Sequence, residues 1–395
     1  MGKGKTLRFQ SKRTSHIPPY MFAELNVKKA RLKETGMDLI DLGIGEPGFS
    51  PPPHIIERLG EEIRKSENSM YPSYIGCREF REAVSRYYKE RYDVELDPDT
   101  EVIALIGSKE GVANLILSQL DPGDLALVPD PCYPVYRMAT LLADGECYSL
   151  PLKPENAFLP DYPEIEESVR ERARLLVVNY PNNPTTATAD RGFYERTVAF
   201  AKRHKTIVVH DFAYNEISFN GYEPVSILQV EGAKDIAVEL GSLSKTFCIP
   251  GWRIGYAVGN RDAIHALKTV KSNTDSGQYS AVQRTAAYAL NGPRAFLEEN
   301  LKIYRKRQQV VVSGLREIGM EVAEPRATFF VWAPLPEEHS NSARFAEKVL
   351  EDTGVVVAPG AAFGSCGEGY IRLSLSAPTE RLQEAIARMR TSLKR

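Results

Sequence analysis

The feature that most constrains this chain is an alternation. Short apolar runs bounded by turn residues recur over 101–107, 125–130, 145–150, 174–180, 206–211, 235–240 and 255–259. Helical stretches such as 110–119 and 193–204 separate several of them. Strand-length runs alternating with helix-length segments are the pattern of βαβ units, in which each crossover helix packs back on the sheet. The alternation predicts a mostly parallel sheet covered by helices, with a further helix over 78–91. After about Asn291 the texture changes. A long charged helix over 293–318 leads to strands over 329–333, 355–358 and 370–374, then to a helix over 379–392 with Pro378 near its start. This second part reads as a smaller α+β unit. At 395 residues the chain is long for one core and suits two.

In such a sheet, ligands bind in the crevice beyond the carboxyl ends of the strands. Expected strand ends here carry Asn179-Tyr180-Pro181-Asn182-Asn183-Pro184, Asp211 with Tyr214 three residues on, and Ser242-Leu243-Ser244-Lys245. Lys245 stands in an otherwise uncharged run. Packing strips its ammonium of hydration, lowers its pKa and makes it a nucleophile toward an aldehyde. Ser242, Ser244 and Arg253 are the donors that an anionic phosphate needs. Aldehyde and phosphate together point to pyridoxal phosphate. Asp211 can keep the pyridine nitrogen of that group protonated, and Tyr214 can bond its phenolic oxygen. Gly107-Ser108-Lys109-Glu110-Gly111 opens a helix whose free amides attract phosphate. Tyr133 can stack on a planar ring. Taken singly, each residue also has a plainer reading. Lys245 can be a surface lysine, Asp211 a helix N-cap, Asn183 part of an Asn-Pro turn, and Tyr133 a core tyrosine.

The order of the motifs is more specific than any one of them. Phosphate turn, stacking aromatic, Asn-Pro, Asp-x-x-Tyr, Ser-x-Ser-Lys and Gly-x-Arg follow one another as in the class I/II aminotransferases. The chain resembles that family from about Tyr20 to its end. The resemblance implies an α/β protein of the pyridoxal-phosphate-dependent transferase fold type I. It would have a mostly parallel seven-stranded sheet in a large domain, 50–291, and a small α+β domain, 292–395, joined by the N-terminal arm, 1–49. Lys245 would then carry pyridoxal 5'-phosphate as a Schiff base. Asp211 would pair with the ring nitrogen, Tyr214 and Asn183 would hold the ring hydroxyl, and Tyr133 would stack on the ring. Ser108, the Lys109 amide, Ser242, Ser244 and Arg253 would hold the phosphate. Arg372 matches the arginine that clamps the substrate α-carboxylate, and Gly45 a glycine whose backbone approaches the substrate. Tyr71 and Ser276 match residues that reach the phosphate of the neighbouring subunit, which implies a homodimer with shared sites.

Within the family, the segments 106–111, 128–131, 271–283 and 327–334 are most similar to LL-diaminopimelate aminotransferases and nearby alanine aminotransferases. Tyr20 matches a substrate-contacting tyrosine of that group. The expected reaction moves an amino group from LL-diaminopimelate to 2-oxoglutarate. Alanine (glutamate–pyruvate) or broad-range transfer is the alternative, ahead of β-lyase chemistry or a non-catalytic ligand-sensing homologue. Thr186, the 246–249 segment and Ala361-Ala362-Phe363 depart from the group pattern, the last in being less polar near the substrate entrance.

Composition narrows the rest. A net charge of −2 gives no general attraction to nucleic acid or anionic membranes, which leaves the partners that the resemblance implies, small amino and 2-oxo acids and a second copy of the chain. Five scattered cysteines without a C-x-x-C pair suit free thiols in a reducing cytoplasm. Six histidines lack ligand spacing, so no metal is implied. No apolar run is long enough to span a membrane. Residues 1–13 read as a disordered basic tail rather than a secretion signal.

Overall fold

Strands that are apolar at successive positions need cover on both faces, and the chain supplies it. This computed structural model describes residues 9–15, 17 and 21–393, with the backbone alone for 21–25. One sheet contains β1 Val102–Leu105, β2 Leu125–Asp130, β3 Glu146–Pro151, β4 Ala173–Val178, β5 Ile207–Asp211, β6 Ala237–Ser242 and β7 Gly255–Gly259. Their order is β1-β7-β6-β5-β4-β2-β3. β7 is antiparallel to β1 and β6, and every other pairing is parallel. This is the mostly parallel seven-stranded sheet expected. Alternate side chains feed two cores: Leu127, Leu176 and Val208 pack with Tyr88 and Phe193, whereas Val128, Val177 and Val209 pack with Leu115 and Leu267.

Capping residues set several helix starts. The Asp190 carboxylate accepts the Phe193 amide at 2.8 Å to begin Arg191–His204. The Asn260 side chain accepts the Asp262 and Ala263 amides to begin Arg261–Thr274. β6 ends two residues later than the sequence predicts, because Gly241 and Ser242 still pair with Tyr256 and Gly255. Ser242 Oγ then accepts the Ser244 amide at 3.3 Å and starts the short helix Leu243–Thr246. Lys245 is thereby delivered directly from a strand end. Lys12–Ser15 is also helical, where a disordered tail is expected; Ser11 Oγ accepts the Thr14 amide at 3.1 Å.

A third core gathers Ile40, Leu42, Phe329, Phe330, Val357 and Leu373. The run 355–358, expected as one strand, divides. Val355–Val356 pairs in parallel with Ile40–Asp41, and Ala358–Pro359 pairs antiparallel with Tyr370–Ser374. The chain changes sheets at the buried Val357, and Pro359 has no amide with which to extend a ladder. Tyr370–Ser374 also pairs with Phe330–Pro334. Tyr214 packs edge-on against Phe329 and Phe330, at 5.6 and 5.7 Å between centroids.

His210 and Asp211 leave β5 on opposite faces. His210 Nδ1 lies 2.7 Å from Glu239 Oε2, and both residues are fully buried. Glu239 also accepts from Tyr88 Oη at 2.7 Å, Ser226 Oγ at 2.8 Å and the Ile227 amide at 3.0 Å. Removing that acceptor strands several buried donors, so Glu239→Ala should cost about 3–5 kcal/mol in denaturant unfolding. Tyr88→Phe removes one donor and should cost only about 1 kcal/mol. Equal losses would contradict a shared acceptor.

Candidate active site

The carboxyl ends of β4, β5 and β6 open into a cavity of about 500 Å³. Gly45, Ser108, Lys109, Tyr133, Asn183, Asp211, Tyr214, Ser242, Ser244, Lys245, Arg253 and Arg372 all line it. These are twelve of the residues named from sequence, drawn from segments spread over more than 300 positions. Tyr71 and Ser276 are not on this wall; both are exposed, Tyr71 at 89%. Tyr20 lies outside the described residues.

Lys245 Nζ donates to the Gly45 carbonyl at 2.5 Å and lies 5.7 Å from the Phe329 ring centroid. Desolvation, reinforced by the Arg372 cation, lowers its pKa from 10.5 to about 8. Asp211 is buried, and desolvation raises its pKa, opposed by hydrogen bonds from Tyr136 Oη at 2.7 Å and the Ala213 amide at 3.3 Å. Burial pushes the Tyr214 phenol upward, so it remains a donor at neutral pH.

Arg372 Nη1 donates to Asn183 Oδ1 at 2.7 Å, and Nη2 donates to the Gly43 carbonyl at 2.8 Å. Its guanidinium lies 4.1 Å from the Phe330 centroid and 4.8 Å from that of Phe363. Asn183 is itself placed by Asn179, whose Oδ1 accepts the Asn183 amide at 2.9 Å and whose Nδ2 donates to the Asp211 carbonyl at 2.7 Å. Sequence reasoning missed Asn179 and Tyr136. Asn179 shares the strand end with Asn183, which is a signal; Tyr136 lies one helical turn past Tyr133, and nothing local marks its reach to Asp211. Also missed were further polar residues of the wall, Asn26, Glu46 and the ion pair Lys29–Asp41, 2.5 Å apart.

Another part of the wall suits a phosphate. Ser108–Gln119 begins at Gly107 without a side-chain cap, and the positive end of its dipole suits an anion. Gly107 has φ +79°, and a Cβ there would come within 2.2 Å of Arg253 Nη2. The glycine is what lets the guanidinium close on the turn. Ser242 and Ser244 supply hydroxyls to the same cavity. A buried carboxylate, a lysine of lowered pKa and this donor cradle together match the ring nitrogen, aldehyde and phosphate of pyridoxal phosphate.

The fold and site define a pyridoxal-phosphate-dependent aminotransferase. The chain belongs to the aminotransferases of class I and II, whose family model matches residues 37–389. Among curated relatives, the LL-diaminopimelate aminotransferase of Moorella thermoacetica is 47% identical over 97% of this chain and 98% of its own length. That of Aquifex aeolicus is 48% identical over 96% and 98%. Among solved structures, substrate-bound BacF from Bacillus subtilis superposes with TM-score 0.94 at 37% identity, covering 98% of both chains. A probable N-succinyldiaminopimelate aminotransferase from Thermus thermophilus gives TM-score 0.89 at 36% identity, covering 94% of this chain and 99% of that one.

The Lys245 shift fixes a sign. Below pH about 8 the folded chain bears the full cost of a desolvated ammonium; between about 8 and 10.5 it binds fewer protons than the unfolded chain, and stability rises with pH. Capture of pyridoxal phosphate by the apoenzyme should therefore accelerate with pH through a midpoint near 8. A midpoint at the ordinary lysine value, followed by absorbance, would contradict the desolvated site.

Proposed function

We propose that this aminotransferase takes LL-diaminopimelate as amino donor and 2-oxoglutarate as acceptor, in the cytoplasm, as a homodimer with shared active sites. The observation that carries the substrate is the nearly full-length likeness to enzymes named for it. The cavity is consistent with a long donor bearing charges at both ends. The less polar stretch Ala361-Ala362-Phe363 does not oppose this, because Phe363 packs over the Arg372 guanidinium. Polar groups for the far end would come instead from Lys29, Asp41 and Glu46, which also line the cavity.

In this reading Lys245 binds the cofactor covalently, and Asp211, steadied by Tyr136, holds its ring nitrogen. Tyr214 and Asn183 would hold the ring oxygen, and Tyr133 would stack on the ring. Ser108, the Lys109 amide, Ser242, Ser244 and Arg253 hold the phosphate. Pyridoxal phosphate supplies a carbonyl carbon that captures an amine and a cationic ring that disperses the electron pair left on the substrate α-carbon. Arg372 receives the α-carboxylate on its fork and fixes the orientation of the α-carbon, beside Gly45. Once the substrate amine has displaced it, Lys245 Nζ, readily neutral because of its lowered pKa, would take the α-proton and deliver it to the carbon that had been the cofactor's carbonyl carbon. The proposed division into 50–291 and 292–395, with 1–49 joining the latter, is supported by the pairing of Ile40–Asp41 with Val355–Val356.

Tyr71 and Ser276 support the dimer, being exposed on this protomer although they match phosphate contacts across a subunit boundary. Among the described residues, no helix is long and apolar enough to cross a membrane, and no group of three or more His, Cys, Asp or Glu could hold a metal.

Steady-state kinetics tests the substrate. The kcat/KM for LL-diaminopimelate should exceed that for alanine and glutamate by about tenfold or more, about 1.4 kcal/mol; alanine ahead by that margin would refute the donor and leave the aminotransferase intact. The shared site is tested by mixing inactive Tyr71→Ala and Lys245→Ala proteins. Hybrid dimers with one intact site should regain up to about a quarter of the activity, the statistical share for random exchange between shared sites. Absence of recovery after demonstrated subunit exchange would count against it.

A further inference from the structure

Lys271, on the helix Arg261–Thr274, is only 1% exposed. A lysine is kept at such a place only when its charge is matched. Its Nζ donates to Glu110 Oε1 and to Asp275 Oδ2, each at 2.9 Å. Glu110 is the third residue of the helix Ser108–Gln119, one step beyond the Ser108-Lys109 turn. Its Oε2 accepts the Ile106 amide at 3.0 Å, and Asn114 Nδ2 donates to its Oε1. The carboxylate thus ties down the chain entering the turn. It also occupies the positive end of the helix, where a phosphate would otherwise meet the dipole alone. Left unbalanced, it would repel the anion that the turn presents itself to bind. On the other side, Asp275 Oδ1 accepts the Gly277 amide at 2.7 Å and shapes the bend that carries Ser276.

We propose that Lys271 is a positioning residue for the cofactor phosphate. Its single positive charge, shared with Asp275, offsets much of the charge of Glu110, so that the carboxylate can fix the phosphate turn while opposing the phosphate less. Through Asp275 it also steadies the segment bearing Ser276, and this second arm rests on the shared-site dimer proposed above. Lys271 touches no reacting atom; its effect is confined to the anion. That separates it from a merely structural ion pair, whose loss would weaken any ligand in the cavity.

The test compares pyridoxal phosphate with pyridoxal, which lacks the phosphate, each titrated into apoenzyme and followed by absorbance. In Lys271→Met the ratio of the pyridoxal to the pyridoxal phosphate dissociation constant should fall by about tenfold or more, while pyridoxal itself binds within about threefold of wild type. Adding Glu110→Gln should bring the ratio back to within about threefold. Parallel loss of both ligands, or an unchanged ratio, would overturn the proposal. If Lys271→Met yields no folded apoenzyme, Glu110→Gln alone decides. It keeps an oxygen for the Ile106 amide and removes one negative charge, so the ratio should hold or rise; a fall of about tenfold overturns the charge-balance account. Ser276→Ala lowers the ratio only where sites are shared, so failure of the dimer is seen separately from failure of the Glu110 arm.

Discussion

The buried guanidinium of Arg372 is the interaction on which the site closes. It reaches from the strand Tyr370–Ser374 to Asn183 at 2.7 Å and to the Gly43 carbonyl at 2.8 Å. Three segments, separated by 189 and 329 positions, meet on one cation. Its planar fork gives each partner a fixed direction. The two aromatic rings beside it, Phe330 and Phe363, keep it from water and leave its charge effective. The same charge contributes to the lowered pKa of Lys245. In the proposed reading, substrate recognition and activation of the nucleophile are therefore two consequences of one placement.

Around that point the electrostatics are graded along the cavity. Arg372 lines the cavity beside Asn183 and Gly43, and Arg253 lines it beside the start of the helix Ser108–Gln119. Also on its wall are Lys245, which desolvation makes easier to deprotonate, and Asp211, whose ionisation burial opposes and the Tyr136 hydroxyl favours. A ligand that carries a carboxylate, a phosphate and a protonated ring nitrogen offers a partner to each of these groups. The sheet makes the arrangement possible: β4, β5 and β6 are adjacent and parallel, so their ends deliver the Asn183 turn, Asp211 and Ser242 side by side.

Much of this was legible in the sequence, for a physical reason. The strands announce themselves because full burial on both faces demands apolar residues in runs, and the polar residues that interrupt them at the ends are conspicuous. Lys245, Asp211, Asn183 and Arg253 stand out in that way. What was not legible depends on pairings between distant positions. Tyr136 reaches Asp211 across 75 residues, and Lys271 reaches Glu110 across 161; residue type and local spacing carry no record of either. The division of 355–358 between two sheets has the same origin, since a strand's partner, not its own composition, decides where its ladder stops. The shift of β6 by two residues followed from pairing with β7, and it altered the site by placing Ser242 as a helix cap rather than a loop residue.

The account stands on Lys245 as the group that binds the cofactor, and one measurement reaches it most directly. The protein as purified, loaded with pyridoxal phosphate, is reduced with borohydride, digested and mapped by mass spectrometry. The account predicts a single stable pyridoxyl adduct on the peptide containing Lys245, and loss of that adduct in Lys245→Ala. An adduct on another lysine, or a loaded protein whose cofactor is released unmodified after reduction, would contradict it.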